Sequence, residues 1–120
     1  MQIMLVEDNH FFREAFRQEL SRRCPSAIVD EAGNGEEALR EIKMSPPQII
    51  FMDFNLPGEN GVELTKKIKG QFPNVRIAML TSYDLPEYRQ AALQNGADWY
   101  FVKDSFSWDE IEEFIECHAA

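Results

Sequence analysis

Apolar residues recur along the chain in two alternating patterns. Residues 3–6, 49–52, 75–80 and 99–102 are short runs that are apolar at nearly every position, as expected of strands buried on both faces of a parallel sheet. Residues 27–32 carry Asp30 and Glu31 and read as an edge strand. Between these runs the apolar positions take helical spacing: Phe12, Phe16 and Leu20; Ala38, Leu39 and Ile42; Leu64 and Ile68; Trp108, Ile111, Phe114 and Ile115. Pro25, Pro46-Pro47 and Pro73 punctuate the helices. Asn34 with Glu37, Asp84 with Glu87, and Ser107 with Glu110 are spaced as helix-opening caps. The spacing predicts a third helix from about Val62 that stops near Gly70 and Pro73, and a fourth that runs to Gly96.

Five strands alternating with five helices predict an α/β fold, a doubly wound five-stranded parallel sheet with helices on both faces. A first strand with neighbours on both sides gives the flavodoxin-like order 2-1-3-4-5, with the less apolar second strand at an edge. The whole chain, residues 1–120, reads as one domain.

Polar residues stand where the strands end. Glu7 and Asp8 follow the first strand, Asp53 the third, Thr81 the fourth and Lys103 the fifth. In a parallel sheet these positions share one edge, and neighbouring strands lie roughly 5 Å apart. Taken singly, each has an ordinary structural reading: Asp53 as a turn residue, Glu7-Asp8 as a helix cap, Thr81 as a loop cap, Lys103 as a surface cation. Together they form a small polar cluster in the crevice where open α/β sheets bind ligands. Three crowded carboxylates repel one another unless a cation intervenes. A divalent ion with oxygen ligands such as Mg²⁺ suits them. Lys103 and Thr81 would supply a charge and a hydroxyl to phosphoryl oxygens, and Asp53 would be a carboxylate nucleophile.

Composition narrows the partners. The net charge of -9, with 21 acidic and 12 basic residues and no basic run, argues against nucleic-acid binding by this domain itself. Cys24 and Cys117 lack metal-ligand spacing and read as free thiols of a reducing compartment. The first apolar run is cut off at Glu7, which argues against a signal peptide, and no run approaches membrane-spanning length. The expected location is the cytoplasm, with no membrane partner.

The motifs now have a counterpart. Glu7-Asp8, the D-x-x-L-P-G-x-x-G run at residues 53–61, Thr81-Ser82 and G-A-D-W-Y-F-V-K at residues 96–103 together resemble the receiver domain of bacterial two-component response regulators, across essentially the whole chain. N-G-E-E-A-L at residues 34–39 is most similar to receivers of the NarL/LuxR type, which usually carry a helix-turn-helix DNA-binding domain. The resemblance implies that Asp53 accepts a phosphoryl group from a sensor histidine kinase or phosphotransfer protein. It implies that Asp8, Asp53 and the Asn55 backbone carbonyl bind Mg²⁺, with Glu7 acting mainly through metal-bound water. Thr81 and Lys103 would bind the phosphoryl oxygens, and Thr81 and Tyr100 would form the switch. Such a domain catalyses only its own phosphorylation and dephosphorylation, and signals to an output domain or a partner protein. A phosphorylation-dependent dimer is left open. Many receivers have Pro after the active-site Lys, in a cis bond; here Asp104 follows Lys103, which leaves the isomer open. The sequence ends with the last predicted helix, so both a stand-alone receiver and the receiver part of a longer protein are expected forms.

Two rival readings use the same residues. Residues 33–38 fit G-x-G-x-x-A of a dinucleotide-binding turn, with Asp53 about twenty residues on. Glu36 and Glu37 would however repel a pyrophosphate at that helix start, and Asp8, Thr81 and Lys103 would be unexplained. An aspartate-nucleophile phosphohydrolase of the haloacid-dehalogenase type also uses Asp, Thr and Lys. Its second acid, two residues after the nucleophile, is replaced here by Asn55, which does no general acid–base work.

Overall fold

The apolar runs become strands because each is too short for a stable helix and is flanked by turn residues. In a computed structural model, which describes residues 1–118, the elements follow in the order β1 (Gln2–Val6), α1 (His10–Arg23), β2 (Ile28–Ala32), α2 (Gly35–Met44), β3 (Ile49–Asp53), α3 (Gly61–Gln71), β4 (Arg76–Thr81), α4 (Pro86–Gln94), β5 (Trp99–Val102) and α5 (Trp108–His118). All strand pairs are parallel and the order is β2-β1-β3-β4-β5. Every residue of β3 is buried, whereas the edge strands β2 and β5 are partly exposed.

Successive strand residues point to opposite faces, and this divides the interior in two. Ile3, Leu5, Ile49, Phe51, Ala78, Leu80 and Phe101 pack with Phe16 and Leu20 of α1 and with Ile111, Phe114 and Ile115 of α5. Met4, Val6, Ile50, Met52, Ile77, Met79 and Tyr100 pack with the buried faces of α2, α3 and α4. The registers Val6↔Met52, Asp53↔Leu80 and Thr81↔Val102 bring the strand ends to one level.

Helix starts follow local chemistry, with one departure from the sequence reading. Asn34 caps α2 by accepting from Glu37 N–H at 2.8 Å, while the Glu37 carboxylate reaches back to Gly33 N–H. Asp84 is not the cap of α4. Leu85 holds the N-cap position without a side-chain bond, because Pro86 at the first helical position needs no N–H partner and sets the helix start. α3 ends at Gln71, between Gly70 and Pro73, as the spacing predicts. Asn60 caps α3 through Glu63 N–H at 2.8 Å, and Gly61 is its first residue. Ser107 Oγ accepts from Asp109 N–H at the start of α5, as its cap position implies. The Lys103–Asp104 bond is trans, since the chain has no cis peptide bond among the described residues.

Gly61 is where the fold meets the site. Its N–H donates to Phe54 O at 2.8 Å, which folds the loop after β3 back onto its own strand. A Cβ there would lie 2.1 Å from the Asp53 carbonyl oxygen, a backbone atom that cannot yield without moving the strand end. Gly61→Ala is therefore expected to lower stability by about 2–3 kcal/mol, read from urea unfolding midpoints, whereas Gly70→Ala, with open space around it, should be neutral or stabilising.

Candidate functional site

The C-terminal ends of β1, β3, β4 and β5 put four polar residue types side by side. Asp53 is the last residue of β3 and Thr81 the last of β4, so both lie inside the sheet rather than after it. Glu7 is fixed just beyond β1 because its N–H donates to Ala32 O at 3.0 Å and its carbonyl accepts from Arg13 Nη1 at 2.7 Å. Lys103 N–H donates to Thr81 O at 2.7 Å, which starts the Lys103 side chain level with the other three.

The side chains then converge. Carboxylate oxygens of Glu7, Asp8 and Asp53 all lie within 4.8 Å of one another. Glu7 and Asp53 are buried, at 0% and 4% exposure, and Asp8 is exposed. Lys103 Nζ sits 2.5 Å from Glu7 Oε1 and 3.2 Å from Asp53 Oδ1. The second Glu7 oxygen accepts from Asn9 N–H at 3.1 Å, so both oxygens of this buried carboxylate are partnered. Asn55 N–H approaches Asp53 Oδ1 at 3.3 Å. The sequence reading asked for a cation among the three acids; the Lys103 ammonium is one.

The electrostatics follow from this packing. Burial, reinforced by the neighbouring Glu7, raises Asp53 from 3.8 to about 7, against the opposing pull of Lys103. Burial works to lower Lys103, but the Glu7 and Asp53 carboxylates outweigh it and hold the ammonium above its ordinary value. The donor set of three carboxylates is the hard-oxygen chemistry that Mg²⁺ takes, with Asp8 on the open side for an ion that keeps several waters. The residues present therefore fit such an ion.

Thr81 and Tyr100 are not in this cluster's hydrogen bonding. The buried Thr81 Oγ1 accepts from Tyr83 N–H at 3.1 Å, and the Tyr83 carbonyl accepts from the Tyr100 hydroxyl. Tyr100 is buried, and burial pushes its phenol above the usual range. The Tyr83 ring stacks on Tyr88 at 5.0 Å, and Tyr88 meets Phe54 edge-on at 5.0 Å. Arg89 lies over both Trp99 and Tyr100. Tyr83 was not legible as a site residue because its part is played by its backbone N–H and C=O, which every non-proline residue has.

With the geometry in hand, comparison with known proteins gives the family. The chain matches the family described as response regulator receiver domain over residues 3–116, and it belongs to that family. It is thus a phosphorylation-switched signalling domain. It is 36% identical over 116 residues to the uncharacterized transcriptional regulatory protein YhcZ of Bacillus subtilis, covering 97% of this chain and 52% of that protein. Among solved structures it is similar to a two-component response regulator of the LuxR family from Aurantimonas sp. SI85-9A1, with a TM-score of 0.89, 32% identity, and coverage of 98% and 84%. It is also similar to the response regulator protein TrrA from Thermotoga maritima in complex with Mg²⁺ and BeF, with a TM-score of 0.85, 32% identity, and coverage of 97% and 96%. The chain spans about half the length of the curated relatives it matches. No helix among the described residues is long and apolar enough to cross a membrane. The dinucleotide-binding reading loses its footing: the Gly33 N–H that a pyrophosphate would need already faces the Glu37 carboxylate.

The raised Asp53 value has a consequence for stability. A carboxylate whose folded value lies above its unfolded one leaves stability intact below the unfolded value, near 3.8, and removes it as pH rises, with the loss complete above about 7. In chelator, Asp53→Asn is therefore expected to be more stable than the native chain by about 1–3 kcal/mol at pH 8. The difference should shrink markedly at pH 5, as measured by chemical unfolding at the two pH values.

Proposed function

We propose that Asp53 is the phosphoacceptor of this receiver. The observation that carries the reading is the position of its buried carboxylate, level with Glu7 and Asp8 and 3.2 Å from the Lys103 ammonium. An oxygen of the ionised Asp53 attacks the donor phosphorus. The bond from phosphorus to the leaving group breaks, and its electron pair departs with that group: a histidine nitrogen for a kinase or phosphotransfer partner, acetate for acetyl phosphate. Lys103 and the Thr81 hydroxyl stabilise the phosphoryl oxygens. Hydrolysis reverses the modification when water attacks the same phosphorus, returning the carboxylate and inorganic phosphate. Asp8, Asp53 and the Asn55 carbonyl would hold Mg²⁺, with Glu7 acting through a metal-bound water. When bound, the ion neutralises charge on the phosphoryl oxygens.

The partners follow from the same reading. A sensor histidine kinase or phosphotransfer protein supplies the phosphoryl group in the cytoplasm. The output is a DNA-binding domain of the LuxR type, supported by the relatives' names and by their roughly twofold greater length. Intact mass spectrometry with acetyl phosphate and Mg²⁺ should find a single phosphoryl adduct, absent from Asp53→Asn and formed at least about tenfold more slowly in Asp8→Asn. An adduct that survives Asp53→Asn would mean another acceptor.

Thr81, Tyr83 and Tyr100 form the output relay. A phosphoryl group at Asp53 offers the Thr81 hydroxyl a charged acceptor. Thr81 turning toward it gives up the bond from Tyr83 N–H, and the Tyr83 carbonyl shifts with the Tyr100 hydroxyl it holds. The surface that responds includes Tyr88, Arg89 and Trp99. NMR of the beryllofluoride-treated protein, beryllofluoride standing in for the phosphoryl group, should move amide signals from Thr81 through Tyr100 as well as those around Asp8, Asp53 and Lys103. Shifts confined to the second group would exclude this relay.

A further inference from the structure

The Lys103 ammonium has a third neighbour that the carboxylates do not explain. Its Nζ lies 4.6 Å from the centroid of the Phe12 ring, within the range over which an aromatic face attracts a cation. Phe12 is itself held. Its ring stacks on Phe16 at 5.7 Å, and Phe16 packs against Phe51 of the central strand, Phe106 of the loop after β5, and Trp108 of α5. The first turn of α1 is fixed in turn by Asn9, whose side chain accepts from Phe12 N–H at 3.0 Å. One rigid aromatic stack therefore runs from the strand that carries Asp53 to the underside of the Lys103 charge.

The three neighbours of Lys103 differ in kind. Glu7 and Asp53 are carboxylates, and each has other work in the site: Asp53 as nucleophile, Glu7 toward the metal's water. The Phe12 ring offers no lone pair, takes no proton and is not consumed. We propose that Phe12 is a positioning residue for phosphoryl transfer, its ring face holding the Lys103 ammonium beside Asp53 as the lysine exchanges a carboxylate partner for a phosphoryl oxygen. The proposal rests on the reading of Asp53 as phosphoacceptor. In the step it serves, Asp53 oxygen bonds to phosphorus as the phosphorus–acetate bond of acetyl phosphate breaks, and acetate leaves with the electron pair. Phe12 acts only through Lys103. If the contact were simple packing of the lysine stem, any apolar side chain of similar size would serve as well.

The test compares native protein, Phe12→Leu, Phe12→Met and Phe12→Trp, with two readouts: the rate of adduct formation from acetyl phosphate in saturating Mg²⁺, and the NMR shifts of the Lys103 ε-methylene protons without phosphodonor. The native ring should shift those protons upfield. Phe12→Leu and Phe12→Met should lose that shift and react about three- to tenfold more slowly, whereas Phe12→Trp should keep both the shift and the rate. Should the leucine variant fail to fold, the methionine variant decides. Native rates in the folded non-aromatic variants, or a Phe12→Trp rate as slow as theirs, would overturn the role of Phe12 while leaving Asp53 as acceptor. A native protein that takes no phosphoryl group would overturn the acceptor reading itself, and this role with it.

Discussion

Everything at the C-terminal edge of the sheet depends on one ammonium shared by two buried carboxylates. Glu7 and Asp53 are held side by side by the parallel pairing of β1 with β3, and neither can retreat into water. Two such charges in a low-dielectric setting repel strongly, and a carboxylate left unpaired there is far more costly than the pair is stabilising. Lys103 resolves the conflict for one of them more fully than for the other: it lies 2.5 Å from Glu7 and 3.2 Å from Asp53. Glu7 also has Asn9 N–H, while among the described residues Asp53 has only a long approach from Asn55 N–H besides the lysine. The under-stabilised member is the one at the end of the central strand. A carboxylate held in this condition gains from a further cation, and under the proposed function it would gain again when its charge is moved outward onto a phosphoryl group.

The two halves of the interior give this site two separate connections. Lys103 rests on the aromatic cluster that joins α1 and α5 to Phe51. Thr81 and Tyr100 are tied through Tyr83 to the opposite face, where Tyr100 packs with Met52, Met79 and Ala92. Because Tyr100 and Phe101 are adjacent on β5, they point to opposite faces, and one short strand serves both. Interfaces of packed side chains do not deform continuously. Under the proposed relay, a change at Asp53 would be felt on the α4 side through hydrogen bonds that have alternative partners, while the aromatic stack on the α1–α5 side would hold the lysine in place.

Much of this was legible in the sequence, for reasons that differ by element. The strands were plain because four short apolar runs and one mixed edge run, bounded by turn residues, alternate with amphipathic helices, and the sheet order followed from a first strand with neighbours on both sides. Glu7, Asp8, Asp53, Thr81 and Lys103 were plain because residue type changes abruptly where each strand ends, and a parallel sheet aligns those ends. Asp84 misled because a good capping residue one position early competes with Pro86, and the backbone restriction of proline decides. The Glu7–Lys103 pair, the Phe12 ring under Lys103 and the backbone relay at Tyr83 left no pattern. The first two depend on side-chain directions 96 residues or nearly so apart in sequence, and the third on groups common to all residues.

The choice of lysine, rather than arginine, for the central cation fits the proposed phosphoryl transfer. Arginine presents a planar fork that binds a carboxylate through two parallel bonds, and its hold is hard to transfer. Lysine presents a compact charge with three rotatable donors on a flexible stem. At Lys103 those donors already face two acceptors at unequal distance, with an aromatic ring on a further side. Such an ammonium can pass from one oxygen to another by a small rotation, without leaving the buried site and without uncovering Glu7, whose second oxygen keeps its backbone donor. The ring limits how far it can swing, because its position is set by a stack anchored in the core. Mobility in the donors and constraint in the stem are then supplied by different parts of the chain, which is what a site needs if it must neutralise a carboxylate before the reaction and a phosphoryl group after it.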